Sequence, residues 1–281
     1  MTRSDPLPRV VLLCHEADRI DSEGLAAWLA SSLNLVGIVL LREGPGRLLR
    51  RARREIRRVG LLRFLDVVAF RAHYRLCLAR ADAAWIAEEV ARLRSRYPGG
   101  FDRVPRIVVA DPNTTEVERF LRQLEPELMI ARCKVILKPG IFSIPTAGTF
   151  VFHPGICPEY RNSHGCLWAL VNRDLDRVGM TLLRVDAGVD TGPIFLQATA
   201  KFDEVRESHV VIQYRVVLEN LDAIASTLVA VWNGIAQPLA TEGRRSAVWG
   251  QPWLSAYLRW KRAARRCSHE AARLADVPRC L

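Results

Sequence analysis

The sequence predicts an α/β fold, a mostly parallel sheet flanked by helices, and three observations carry that prediction. Short apolar runs of strand length alternate with longer segments whose apolar residues recur at helical spacing. One run, GTFVFH at 148–153, does not alternate apolar with polar residues, the pattern of a strand buried on both faces in the middle of a parallel sheet. The 281 residues are 49% hydrophobic, which supplies ample apolar surface for a core.

RVVLLCHE at 9–16 is a short apolar run bounded by Pro8 and a polar break, read as a buried strand. Ser22 and Glu23 start a helix through GLAAWLASSL, and LNLVGIVLL at 33–41, closed by Arg42, Glu43 and Gly44, is a second strand. Strand, helix, strand begins a parallel sheet. Residues 47–97 lack a strand pattern and carry arginine, alanine, leucine and aromatic residues at helical spacing, which predicts an inserted helical segment broken near Gly60 and near Asp82. PRIVVAD at 105–111 returns to strand, and Thr114 or Thr115 caps the helix after it, with acidic residues in the first turn. LMIARC at 128–133 and GTFVFH are the next strands, so His153 falls at the carboxyl end of a central strand, where open α/β sheets place ligands. CLWALVNRD at 166–174 reads as a short helix, GMTLLRVD at 179–186 and IFLQATAKF at 194–202 as strands, and 208–233 as one long amphipathic helix ending at Gly234. One domain over 1–234 is expected. Beyond it the composition shifts to Pro, Gly, Trp and Arg, and 235–281 is predicted to be a short basic tail with one helix.

The net charge is +11, and lysine occurs only at 134, 138, 201 and 261. Two arginine clusters stand out, RLLRRARREIRR at 47–58 and RWKRAARR at 259–266. On helices such runs form solvated faces, so nucleic acid is not expected as the main partner. The seven cysteines are odd in number and form no CxxC pair, and His153, Cys157 and His164 match no zinc spacing, so neither disulfides nor a metal are expected. No run approaches the roughly 18 apolar residues of a membrane span. A cytoplasmic location is expected.

His153 and Asp190 are the chemistry-bearing pair. Asp190 lies in DAGVDTG at 186–192, whose glycines allow close approach of the backbone. A histidine and a carboxylate at one sheet edge can form an acid/base couple. Each also has a plain structural reading, as a satisfied strand-end histidine and as a turn aspartate bonded locally.

The order of HPGICPEYRN at 153–162, a helix, and VGMTLLRVDAGVDTGPI at 178–194 resembles the signature of the 10-formyltetrahydrofolate-dependent formyltransferases, the methionyl-tRNA and glycinamide ribonucleotide types. The resemblance runs from about Val104 to Gly234 and is sharpest at His153, Pro158, Tyr160, Arg161, Gly179, Thr181, Asp190, Thr191 and Gly192. It implies a Rossmann-like sheet that binds 10-formyltetrahydrofolate as formyl donor at its carboxyl edge and passes the formyl group to an amine of a small or nucleotide-linked substrate. It further implies that His153 donates to the oxygen on which charge develops, while Asp190 orients His153 and helps take the amine's proton. Ile136, Leu137, Asp186, Gly188, Val189, Thr191 and Gly192 would line the donor site, with Tyr160 and Arg161 toward the substrate. The carboxyl ends of strands 148–153 and 179–186 are expected side by side, with the Asp190 loop folded back over them.

Two departures qualify the resemblance. The family carries asparagine, an oxyanion donor, where this chain has Val151; losing such a donor costs about a hundred- to a thousand-fold in turnover. Asn162 and His164 are the candidate substitutes. Arg132, Cys133 and Lys134 replace smaller residues beside the pterin wall. The insertion and short tail look more similar to the sugar or natural-product members than to the tRNA type. Hydrolysis of the formyl donor, and a non-catalytic scaffold binding a ligand or partner, are the alternatives. The acceptor and the oligomeric state are not legible.

Overall fold

A computed structural model of the protein describes residues 6–42 and 55–275. Seven strands form one sheet: β1 (Arg9–His15), β2 (Asn34–Leu41), β3 (Arg106–Val109), β4 (Leu128–Arg132), β5 (Gly148–Pro154), β6 (Gly179–Arg184) and β7 (Ile194–Thr199). Their spatial order is β3-β2-β1-β4-β5-β6-β7. The first five run parallel, whereas β6 and β7 each run antiparallel to their neighbour. β5 therefore lies at the boundary between the parallel and antiparallel parts, not inside a wholly parallel sheet.

Side chains alternate across each strand and feed two cores. Phe150 and Phe152 enter the larger one with Leu12, Ile130 and Trp28. On the opposite face Val11, Leu13, Met129 and Leu137 meet Val117 and Leu121 of α4 (Thr115–Leu124). Thr114 caps that helix, its hydroxyl accepting from Val117 N–H at 3.4 Å.

Several expectations are corrected. Residues 47–54 of the insertion, with most of the first arginine cluster, lie outside the described residues. Past Gly60 the chain forms α2 (Leu61–His73), a π-helical turn (Tyr74–Leu78) and α3 (Ala79–Arg96). The irregularity falls at that turn and not at Asp82, whose buried carboxylate accepts from Ser208 Oγ at 2.8 Å. The expected long helix is two, α7 (His209–Leu218) and α8 (Leu221–Trp232). Asn220 separates them, its amide bonding the Val216 and Thr199 carbonyls, the local competition for backbone that makes asparagine a poor helix-interior residue.

The boundary at 234 does not separate a tail. α9 (Leu254–Ala275) packs against α2 and α6 (Gly165–Val171). It buries Tyr257 and Trp260 in the same core as Phe150.

Candidate active site

His153 is the penultimate residue of β5, on the face opposite Phe152 and 5% exposed. Its Nε2 lies 2.7 Å from the Tyr160 carbonyl, which can only accept, so Nε2 carries a proton. Its Nδ1 lies 3.5 Å from Asp190 Oδ2. The two residues thus share one site. The route differs from expectation: β6 runs antiparallel, so His153 pairs with Thr181 near the amino end of β6, and the carboxyl ends of the two strands are not side by side. The loop 185–193 closes the distance by turning back along the sheet.

Two left-handed residues make that return possible. Asp190 has φ 52° and Asn162 φ 77°; aspartate and asparagine tolerate this region better than other side chains do. The Asn162 N–H donates to Asp190 Oδ2 at 2.7 Å, which ties the tip of one loop to the other. Strained backbone concentrated where two polar side chains meet is characteristic of functional sites.

The remaining residues of the Asp190 loop are held by one another. Asp186 accepts from Gly188 N–H at 2.9 Å and from Thr191 Oγ1 at 2.8 Å. A Cβ on Gly192 would sit 1.9 Å from the Arg184 carbonyl, so glycine is required there by the loop's own packing. Ile136 and Val189, on the loops after β4 and β6, are exposed apolar residues, while Leu137 is buried beneath.

Each candidate substitute donor has a local setting of its own. The Asn162 amide donates to the Trp249 carbonyl at 2.6 Å, and its oxygen accepts from Ser163 N–H at 2.8 Å. His164 is half-buried with its Nδ1 enclosed and unbonded, and desolvation, assisted by Lys134 and His209, pushes its imidazole down to about 3. Val151 faces Cys157, Leu183 and Ile194, an apolar surrounding. Burial pushes the Cys157 thiol up, which makes it inert as a nucleophile.

Tyr160 and Arg161 also serve the framework. Tyr160 is buried, and its hydroxyl donates to Asp174 Oδ2 at 3.0 Å. Arg161 Nη1 donates to the Val189 carbonyl at 3.4 Å, and its Nε is buried without a partner. Arg132 stands away from the expected pterin wall: it points to the other face of the sheet and pairs with Asp21 at 3.0 Å. Its position in β4 explains this, since alternate strand residues face opposite sides and Arg132 shares the side of Ile130.

A group of residues not singled out in the sequence pins the loop that carries the site. Trp249 stacks on Tyr160 at 5.6 Å and on Trp168 at 5.2 Å between ring centroids. Its indole donates to the Glu159 carbonyl at 2.9 Å. Arg161 and Val248 form an isolated parallel bridge, and Arg244 holds Glu159 through two bonds of 3.0 and 2.6 Å. The tryptophans of the supposed tail were the available signal, because such large apolar rings are seldom left in water.

Comparison with known proteins agrees with this architecture. Residues 78–228 match the formyl transferase family. Methionyl-tRNA formyltransferase of Pelobacter propionicus is 28% identical over 179 residues, 61% of this chain and 55% of that protein; the chain spans about half the length of this curated relative. Among solved structures, glycinamide ribonucleotide transformylase 1 from Symbiobacterium toebii superposes with a TM-score of 0.51 at 15% identity, covering 88% of this chain and 96% of that one. A sugar N-formyltransferase from a Shewanella species gives 0.50 at 13% identity, covering 86% and 76%. Both structures share the fold, and because the family match takes in more than half of the residues, the chain belongs to the formyl transferase family.

Proposed function

We propose that the protein transfers a formyl group from 10-formyltetrahydrofolate to an amine on a small or nucleotide-linked substrate. The observation that carries this reading is the His153–Asp190 pair, 3.5 Å apart at the sheet edge and reached through two left-handed backbone positions. When bound, the folate donor supplies the formyl carbon. The exposed apolar Ile136 and Val189 fit a flat heterocycle, which would take both from water. Asp190, fixed by the Asn162 N–H, provides a carboxylate for the proton shed by the attacking amine. His153, held between Asp190 and the Tyr160 carbonyl, is oriented by both, and freeing its N–H from Tyr160 would present a donor to developing negative charge. A small acceptor is favoured by the fold shared at nearly full coverage with the glycinamide ribonucleotide enzyme.

A second reading, a binding scaffold without catalysis, is supported by Val151 and by the engagement of the Asn162 amide with Trp249. The experiment that separates the two is a thermal shift with a stable 10-formyltetrahydrofolate analogue, followed by formyl transfer to amine-bearing nucleotide sugars by the parent and by His153→Ala. Catalysis predicts a raised Tm and a turnover that His153→Ala lowers about a hundred-fold or more. A raised Tm with no transfer would favour the scaffold, and no shift at saturating analogue would remove folate from both.

A further inference from the structure

α2 and the π-helical turn after it are apolar on the side that faces solvent as well as on the side that faces the core. Val67 and Phe70 are buried, whereas Leu61, Leu65, Val68 and Leu76 recur at helical spacing on the opposite side. Leu62 is 85% exposed and Leu76 83%, values unusual for leucine on a helix that already buries its other face.

The charge around this stripe is one-sided. Arg71 and Arg75 flank it and are exposed, while Arg63 on the other side stacks on Trp253. The one acid within α2, Asp66, is engaged by Ser255 at the start of α9. From that contact α9 carries Arg259, Arg262 and Arg266 along its exposed side at i, i+3 and i+7, and no ion pair among the described residues engages them. An apolar stripe and a row of guanidinium groups that no described ion pair engages are thus carried by two helices that pack together.

We propose that this surface of α2 and α9 docks on an anionic lipid membrane, with the leucines entering the headgroup boundary and the arginines meeting lipid phosphates. The charge complementarity selects this occupant. Two copies of the chain meeting through the stripe would set arginines against arginines, which is unfavourable. A nucleic acid would satisfy the arginines but leave the leucines in water. An interfacial helix with leucine on one side and arginine beside it meets both requirements, the aliphatic stems lying along the apolar layer and the charges at the phosphates. Among the described residues no helix is long and apolar enough to cross a membrane, so the contact is peripheral.

The test is flotation of the full chain with vesicles of phosphatidylcholine alone and with about one third phosphatidylglycerol. Binding is expected only to the second, and to weaken with added salt. Leu62→Glu combined with Leu76→Glu should lower it at least about ten-fold. Replacing Arg259, Arg262 and Arg266 by alanine should lower it about a hundred-fold. All five side chains are exposed, so an unchanged Tm will confirm that the variants fold. The proposal is overturned if the chain does not float with anionic vesicles at low salt. It is equally overturned if the leucine variant binds as well as the parent, or if sedimentation shows a dimer that the leucine variant dissolves. Capture of an oligonucleotide that competes with nothing on the vesicles, and flotation absent, would assign the arginines to nucleic acid instead.

Discussion

At the carboxyl edge of the adjacent strands β4 and β5 stand two buried polar pairs, Asp21–Arg132 and His153–Asp190. They lie on opposite faces of the sheet and are joined by one bond, because Arg132 Nη1 also donates to the carbonyl of Phe152, the residue before His153. In the first pair, side chains 4% and 11% exposed meet at 3.0 Å, and burial pushes the Asp21 carboxyl up to about 7 against the pull of Arg132. Tyr214 and Asp18 extend it with a bond of 2.5 Å. Arginine keeps its proton under all ordinary conditions and the Asp21 carboxyl is 4% exposed, so this pair is suited to holding a strand in place. In the second pair the cation is replaced by an imidazole and the acid is 17% exposed. A polar contact of similar geometry becomes chemistry when one partner can give up a proton and the other can reach solvent or substrate.

The sharpest way to break this contrast is to disable each acid in turn. Asp190→Asn keeps an oxygen for the Asn162 N–H, so formyl transfer should fall about 10²- to 10⁴-fold with little change in Tm. Asp21→Ala should do the reverse in character, costing about 3–5 kcal/mol in urea unfolding because Arg132 is left buried and unpaired. Equal losses of stability in the two variants would show that both pairs are structural. A smaller effect is expected from Val151→Asn, which shares the His153 side of β5. The new amide meets Cys157, Leu183 and Ile194, so it should cost about 1–3 kcal/mol without raising turnover. Increased turnover would mean that the site lacks only this donor.

A third test concerns a histidine with no acid beside it. His209 is packed among the rings of Phe70, Tyr74 and Tyr257, and burial pushes it down to about 3 from its ordinary 6.5. A lowered folded value means that its contribution is complete above pH 6.5 and is lost as pH falls toward 3, where the unfolded chain takes the proton first. Across that window His209→Phe should lose about 1.4 kcal/mol less per pH unit than the parent, measured by urea unfolding at several pH values. His164, pushed in the same direction, leaves a second slope in both proteins. Parallel curves would show that His209 is not held neutral by the fold.

Strand positions, the cap at Thr114 and the meeting of His153 with Asp190 were legible because each depends on local pattern or on motifs read in order. The illegible parts depended on contacts across the chain. The strand at 179–184 gives no hint of its direction, since an apolar run reads alike both ways. The pairing of Arg132 with Asp21 was not legible because alternation decides orientation only once the neighbouring strands are known. Asn162 was a reasonable donor by residue type, but the contact its amide makes, with the Trp249 carbonyl, comes from a segment read as a tail.

The stacking of Trp249 between Tyr160 and Trp168 bears on how the protein is made. A ribosome delivers the strands and the His153 loop well before residues 244–250, and until those emerge the loop has neither its ring sandwich nor the Arg244 bonds to Glu159. The nascent sheet can assemble early, while the acid and the imidazole find their final geometry only after most of the chain has been synthesised. Activity should therefore arrive late and at once, and a stalled or shortened translation product would carry every motif residue and still lack the clamp that sets them.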